Sequence, residues 1–271
     1  MHRLRFWAVV AGLLAVTQAT AATDELKQEA IARLAASHDP AIPVAIGRVY
    51  VKQAGLLAAQ RLLTERGEAE QLGPQWGPQA PEWRAAEAEL AAVIDAVIAR
   101  GIEDPAWLRE AWAGVSAPIL NAEEADYIAQ HFATEGGALQ RQVIEMLIVG
   151  ETLMAYYTFT DRLRYDMRGS EREVVALQTV WWEREPFKLH DFTAYPEAMR
   201  FAGTDPGVKY CKMLAIQGIE TINAHYAVVV GETAAELRAQ QRRIDPYIGA
   251  FRIRTGHTGR NDQSREESIS R

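Results

Sequence analysis

A lone cysteine, Cys211, is all the thiol chemistry that 271 residues contain, so no internal disulfide can form and the core must hold the fold. Metal-ligand spacings are missing too. The histidines stand far apart, at 2, 38, 131, 190, 225 and 257, and no His-Glu-x-x-His occurs, so neither a metal nor a cofactor is expected. Nucleophile signatures are absent as well: there is no Gly-x-Ser-x-Gly, no Ser-x-x-Lys and no phosphate-binding glycine loop. Positive charge is outnumbered, with 29 Lys and Arg against 36 Asp and Glu. With a net charge of −7 and no basic block, the chain offers little to nucleic acid or to an anionic membrane.

What is present begins at the N-terminus. His2, Arg3 and Arg5 precede an apolar run from Phe6 to Val16, and Gln18 to Ala22 supplies the small residues a leader peptidase needs. This three-part pattern reads as a cleavable signal peptide over residues 1–22. The run is well short of the roughly 20 residues that span a bilayer. No cysteine follows the cleavage site to carry a lipid, so the mature chain is expected to be soluble in the periplasm without a membrane anchor. Removing the leader takes Arg3 and Arg5 with it, and the charge falls to −9.

Helix signals fill the rest, which predicts an all-α antiparallel bundle of about seven to nine helices. Leu26, Ala30, Ile31 and Leu34 recur at helical spacing, and Asp39-Pro40 ends that run. A second helix is expected from about Ile42 to Arg66, then a loop from Gly67 to Pro81. Pro81 suits the first position of a helix that stops at Gly101. Asp104-Pro105 is expected to cap a short helix holding Trp107, Leu108 and Trp112. Asn121-x-x-Glu124 is a variant of the capping box, and Ser170-x-x-Glu173 is another helix start. The expected divisions are an N-terminal helical region over 23–118, a C-terminal helical domain over 119–254, and a disordered polar tail over 255–271.

One pattern recurs. Phe132-Ala133-Thr134-Glu135-Gly136-Gly137 lines up with Phe201-Ala202-Gly203-Thr204-Asp205-Pro206-Gly207 once a one-residue gap is allowed. Thr134 and Thr204, or Asp205, can cap new helices, and the glycines permit tight turns. Beyond the turns, Gly150-Glu151-Thr152 resembles Ile219-Glu220-Thr221, and Tyr156 falls opposite Tyr226. The reading is a duplicated helix-turn-helix unit whose long helices cover Ala138 to Asp161 and Val208 to about residue 230. The acidic start at Asn121 to Ala125, followed by the first turn, resembles a family of bacterial secreted helical domains of unknown function. That family carries Phe-Tyr-x-Ser/Thr-Pro-x-Gly at this place. The second copy, with Pro206, Gly207 and Lys209, is nearer its pattern, whereas the first lacks the proline and has Ala133 for tyrosine. The resemblance implies a secreted all-helical domain with no established activity.

Two groups of residues carry what chemistry remains. Glu145 and Glu151 flank an apolar stretch, with Glu220 as a possible counterpart. Packed inside, such carboxylates could serve as general acid and base in glycan hydrolysis; paired with Arg141, Arg162, Lys209 or Lys212, they are structural. Trp181, Trp182, Phe187, His190, Asp191, Phe192 and Tyr195 form an aromatic segment that either closes the core or faces a partner. Cys211 shares a predicted helix face with Val208 and Leu214, as a buried and inert thiol would. These features favour a non-catalytic protein that binds a periplasmic or envelope protein, of chaperone-like, assembly or toxin-immunity type. An apolar ligand or lipid carrier and a cell-wall glycan hydrolase are the alternatives.

Overall fold

In a computed structural model the described residues are 23–145 and 195–256. The expected leader, most of the aromatic segment, Glu151, Tyr156, the Ser170 helix start and the last fifteen residues of the tail lie outside them. Nine helices and no strand occur among the described residues, as an all-α sequence pattern requires. They are α1 (23–36), α2 (Ala41–Ala69), α3 (Pro81–Gly101), α4 (Ala106–Ser116), α5 (Ala122–Phe132), α6 (135–145), α7 (Pro196–Ala202), α8 and α9 (Asp245–Thr255). Helix α8 is continuous over Asp205–Met213, a π turn at Leu214–Gly218, and Ile219–Ala239, and a short 3-10 turn at Gln241–Ile244 leads into α9.

Local chemistry sets the helix ends. Asn121 accepts from the Glu124 amide at 2.9 Å, and Glu124 accepts from the Asn121 amide at 3.0 Å, so both arms of the capping box form. Pro81 opens α3 where its missing N–H has no helical partner. Two boundaries differ from the sequence reading. Helix α2 runs on to Ala69, past Gly67, and α4 begins after Pro105 with no side-chain cap.

The chain divides into two compact units, neither of them a continuous stretch. Among the described residues, unit 1 holds 23–46, 105–145 and 195–224, and unit 2 holds 47–104 and 225–256. This partition differs from a single cut at 118/119. Two of its boundaries fall inside helices, in α2 after Ile46 and in α8 after Ala224.

Unit 1 buries Ile31 and Leu34 of α1, Leu108 and Trp112 of α4, Ile128 and Phe132 of α5, Phe201 of α7, and Tyr210 and Met213 of α8. Unit 2 is built on the α3 stripe of Trp83, Ala86, Leu90, Val93, Ile94, Val97 and Ile98, whose three- and four-residue spacing makes one face apolar. Each large side chain so buried stabilises by about 1.5–3 kcal/mol. The 70–80 loop is pinned by Trp76, whose indole N–H donates to the Leu63 carbonyl at 2.9 Å while its ring meets Trp83 and Phe251 edge-on.

Candidate functional site

The repeated turns are the same structure twice. Thr134 donates its hydroxyl to the His131 carbonyl at 2.7 Å and accepts from the Gly137 amide at 3.0 Å. Thr204 donates to the Phe201 carbonyl at 2.8 Å and accepts from the Gly207 amide at 3.2 Å. A Cβ on Gly137 would overlap the His131 carbonyl, and one on Gly207 would overlap the Phe201 carbonyl. The match therefore needs no gap: His131, Thr134 and Gly137 stand for Phe201, Thr204 and Gly207 at one constant spacing. The shared Phe-Ala that suggested a gap is a coincidence of sequence. The two matched rings, His131 and Phe201, stack on each other at 4.0 Å and 5°.

The missing proline in the first turn has a physical reason. Gly136 occupies the position of Pro206, and its N–H donates to the Glu197 carboxylate at 3.2 Å. A proline there would remove the donor. Glu197 opens α7, so an acidic residue of the second hairpin satisfies the N-terminus of α6 in the first.

Beside these turns, unit 1 holds a polar cluster centred on His38, in the Ser37-His38-Asp39-Pro40 turn between α1 and α2. Asp39 accepts from the Ala41 amide at 2.9 Å at the start of α2, and the neighbouring His38 side chain is buried. His38 Nδ1 lies 3.3 Å from Glu145 Oε1, and its Nε2 lies 2.7 Å from the Tyr210 hydroxyl. Glu145 Oε1 also accepts from the Asp39 amide at 3.1 Å. Arg141 stands one turn before Glu145, with Nε at 3.6 Å from the same oxygen, and it donates to the Ser37 carbonyl. Trp112 stacks on the imidazole at 4.6 Å, and Phe132 meets it edge-on at 6.3 Å.

The proton arrangement follows from these partners. Burial pushes the Tyr210 hydroxyl well above its ordinary range, and the nearby Glu145 carboxylate pushes it further. Tyr210 therefore keeps its proton, and with a neutral imidazole it donates that proton to Nε2 while Nδ1–H faces Glu145. The side chains of His38 and Glu145 are each 3 % exposed, and Tyr210 is fully buried. A substrate cannot reach such a triad in this state. Its chemistry is to fasten the α1–α2 turn to α6 and α8, as buried polar groups do when they find partners.

The candidates named from sequence fall as follows. The structure brings together Phe132, Thr134, Gly136, Gly137, Thr204 and Gly207 at the paired turns, with Asp205 and Pro206 as the first two residues of α8. Glu145 is inside, beside Arg141, and Glu220 is exposed. Lys209 pairs with Glu124 rather than with Glu145. Trp181, Trp182, Phe187, His190, Asp191 and Phe192 lie outside the described residues. Tyr195 is half-buried, and its Cβ faces Gly136. Cys211 is half-buried, and Val208 beside it is exposed, so the expected face is only partly internal. His131 is buried against Gln140 at 2.7 Å, and His225 bonds the Gly101 carbonyl at 2.8 Å, both as hydrogen-bonded structural histidines. Sequence reasoning missed His38 and Tyr210, which are 172 residues apart and share no motif. Among the described residues no group of three potential ligands could hold a metal ion, and no helix is long and apolar enough to cross a membrane. No family model, curated protein or solved structure matches the chain.

Proposed function

We propose that this is a secreted periplasmic protein that works by binding another protein, without catalysing a reaction. The observation that carries this reading is how unit 1 distributes its side chains. The titratable groups it clusters, His38, Glu145 and Tyr210, are spent inside on fastening helices. Its outside presents Tyr127, Met199, Val208 and Ile216 at 42, 60, 39 and 57 % exposure. Large apolar side chains left at a surface are what a binding face needs, and aromatic and methionine side chains are favoured there. The leader-like residues 1–22 and the absence of a lipid-carrying cysteine after them support the location.

Isolation of the tagged protein from gently crosslinked periplasm tests both parts. A stoichiometric protein partner lost on Met199→Asp or Ile216→Asp, with folding retained, is the expected result. If the purified protein carries no partner and instead yields an extractable lipid, the binding reading fails and the carrier takes its place. Recovery of the full-length precursor in the cytoplasm would overturn the location.

A further inference from the structure

Three buried side-chain atoms of unit 1 have no hydrogen-bond partner among the described residues: Trp112 Nε1, Arg141 Nε and Glu145 Oε2. All three belong to side chains that touch the same short turn. Trp112 stacks on His38, Arg141 holds the Ser37 carbonyl, and Glu145 holds His38 and the Asp39 amide. A second irregularity lies beside them. The π turn of α8 places Gly218 under Trp112, where a Cβ would come within 2.7 Å of the indole. Of the turn's four residues, Ser37, His38, Asp39 and Pro40, only His38 is buried, so one ring and a few polar contacts hold it down. The Trp112 N–H and the second Glu145 oxygen each disfavour the closed state by about tenfold, because water would satisfy them, whereas Arg141 Nε still faces Glu145 Oε1 at 3.6 Å.

We propose that residues 37–40 are a latch that opens locally, with His38 leaving Tyr210 and Glu145 while the surrounding helices stay folded. Opening wets all three orphaned atoms. It also bares the rings of Trp112, Phe132 and Tyr210 around the Glu145 carboxylate. Arg141 stays beside the carboxylate on α6, so the three rings and Glu145 form a bed for an imidazole, and His38 acts as a built-in occupant of a site that an external imidazole can take. Local openings of this kind lie far below global unfolding in free energy and are visible as amide exchange.

The Asp39 amide reports on the latch because its acceptor is Glu145 Oε1. In the full mature chain it should exchange at least about a hundredfold faster than the helix amides of Ile128, Phe132 and Tyr210. Equal protection at all four would mean that the turn opens only when the unit unfolds, and the latch would be refuted. Trp112→Phe keeps the stacked ring and removes one orphaned N–H, so Asp39 exchange should slow by about tenfold. Exchange that is unchanged or faster would show that the orphaned atoms do not drive opening. If that variant fails to fold, the wild-type comparison still decides. Imidazole is the probe for the site. Added at constant pH and ionic strength, it should speed Asp39 exchange in proportion to its concentration by trapping the open state. No dependence on imidazole would remove the site while leaving the exchange rates to judge the latch.

Discussion

Tyr210 and Cys211 are neighbours on α8, and burial raises the pKa of both side chains. For Tyr210 the consequence is structural. Tyr210→Phe leaves His38 Nε2 as a buried acceptor with no donor, which should cost about 1–3 kcal/mol. That cost reads as a lower urea midpoint at an unchanged slope; an unchanged midpoint would show that the hydroxyl contributes nothing. Glu145→Ala strands both His38 and Arg141 and should cost more, about 3–5 kcal/mol. For Cys211 the consequence is kinetic. A half-buried thiol with a raised pKa holds little thiolate at neutral pH, so alkylation by iodoacetamide should be slow. The rate should still be climbing at a pH where a free cysteine has reached its plateau. Rapid labelling of the folded protein at pH 7 would contradict this.

At the scale of elements, the paired turns predict paired effects. Gly137→Ala and Gly207→Ala each drive a Cβ into a carbonyl and should each destabilise by more than about 1 kcal/mol. Gly114, inside α4 with open space around its Cβ position, should respond oppositely, and Gly114→Ala should stabilise by up to about 1 kcal/mol. Thermal unfolding of the three variants checks the contrast, and a uniform loss would refute it. At the start of α5, the Lys209 ammonium and then the Asn121 amide hold the Glu124 carboxyl below its ordinary range. A depressed carboxyl stabilises the fold above its unfolded pKa, and that contribution is lost as pH falls through the folded value. Lys209→Met should therefore lower stability at neutral pH and make the acid-side decline shallower. These caps were legible in the sequence because each depends on residues within a few positions of one another. The turn duplication was legible for the same reason, although the repeated phenylalanine shifted its register by one. His38, Tyr210 and Glu145 were not legible as a group. Nothing local marks them, and only the packing of α1, α6 and α8 brings them together.

At the scale of the whole molecule, the helical class could be read from periodicity, whereas the division into two interleaved units could not. Only long-range packing reveals it, as where α9 lies on α3 through Arg254 and Glu82, at 2.6 and 2.8 Å. The burial of Phe251 against Trp76 is what makes that contact count, since exposed ion pairs contribute little singly. Phe251→Ala should cost about 3–5 kcal/mol and red-shift the tryptophan emission as water reaches Trp76. Unshifted emission would place Trp76 in contact with other groups. The same interleaving governs when the protein can fold. His38 waits for Tyr210, and Glu70 waits for Arg252 across 182 residues, so neither unit can close while the ribosome is still making α8. The growing chain must stay open until it is nearly finished, and contacts this distant in sequence form slowly even then. For a polypeptide proposed to leave the cytoplasm through a narrow channel, late closure keeps it threadable for as long as export takes.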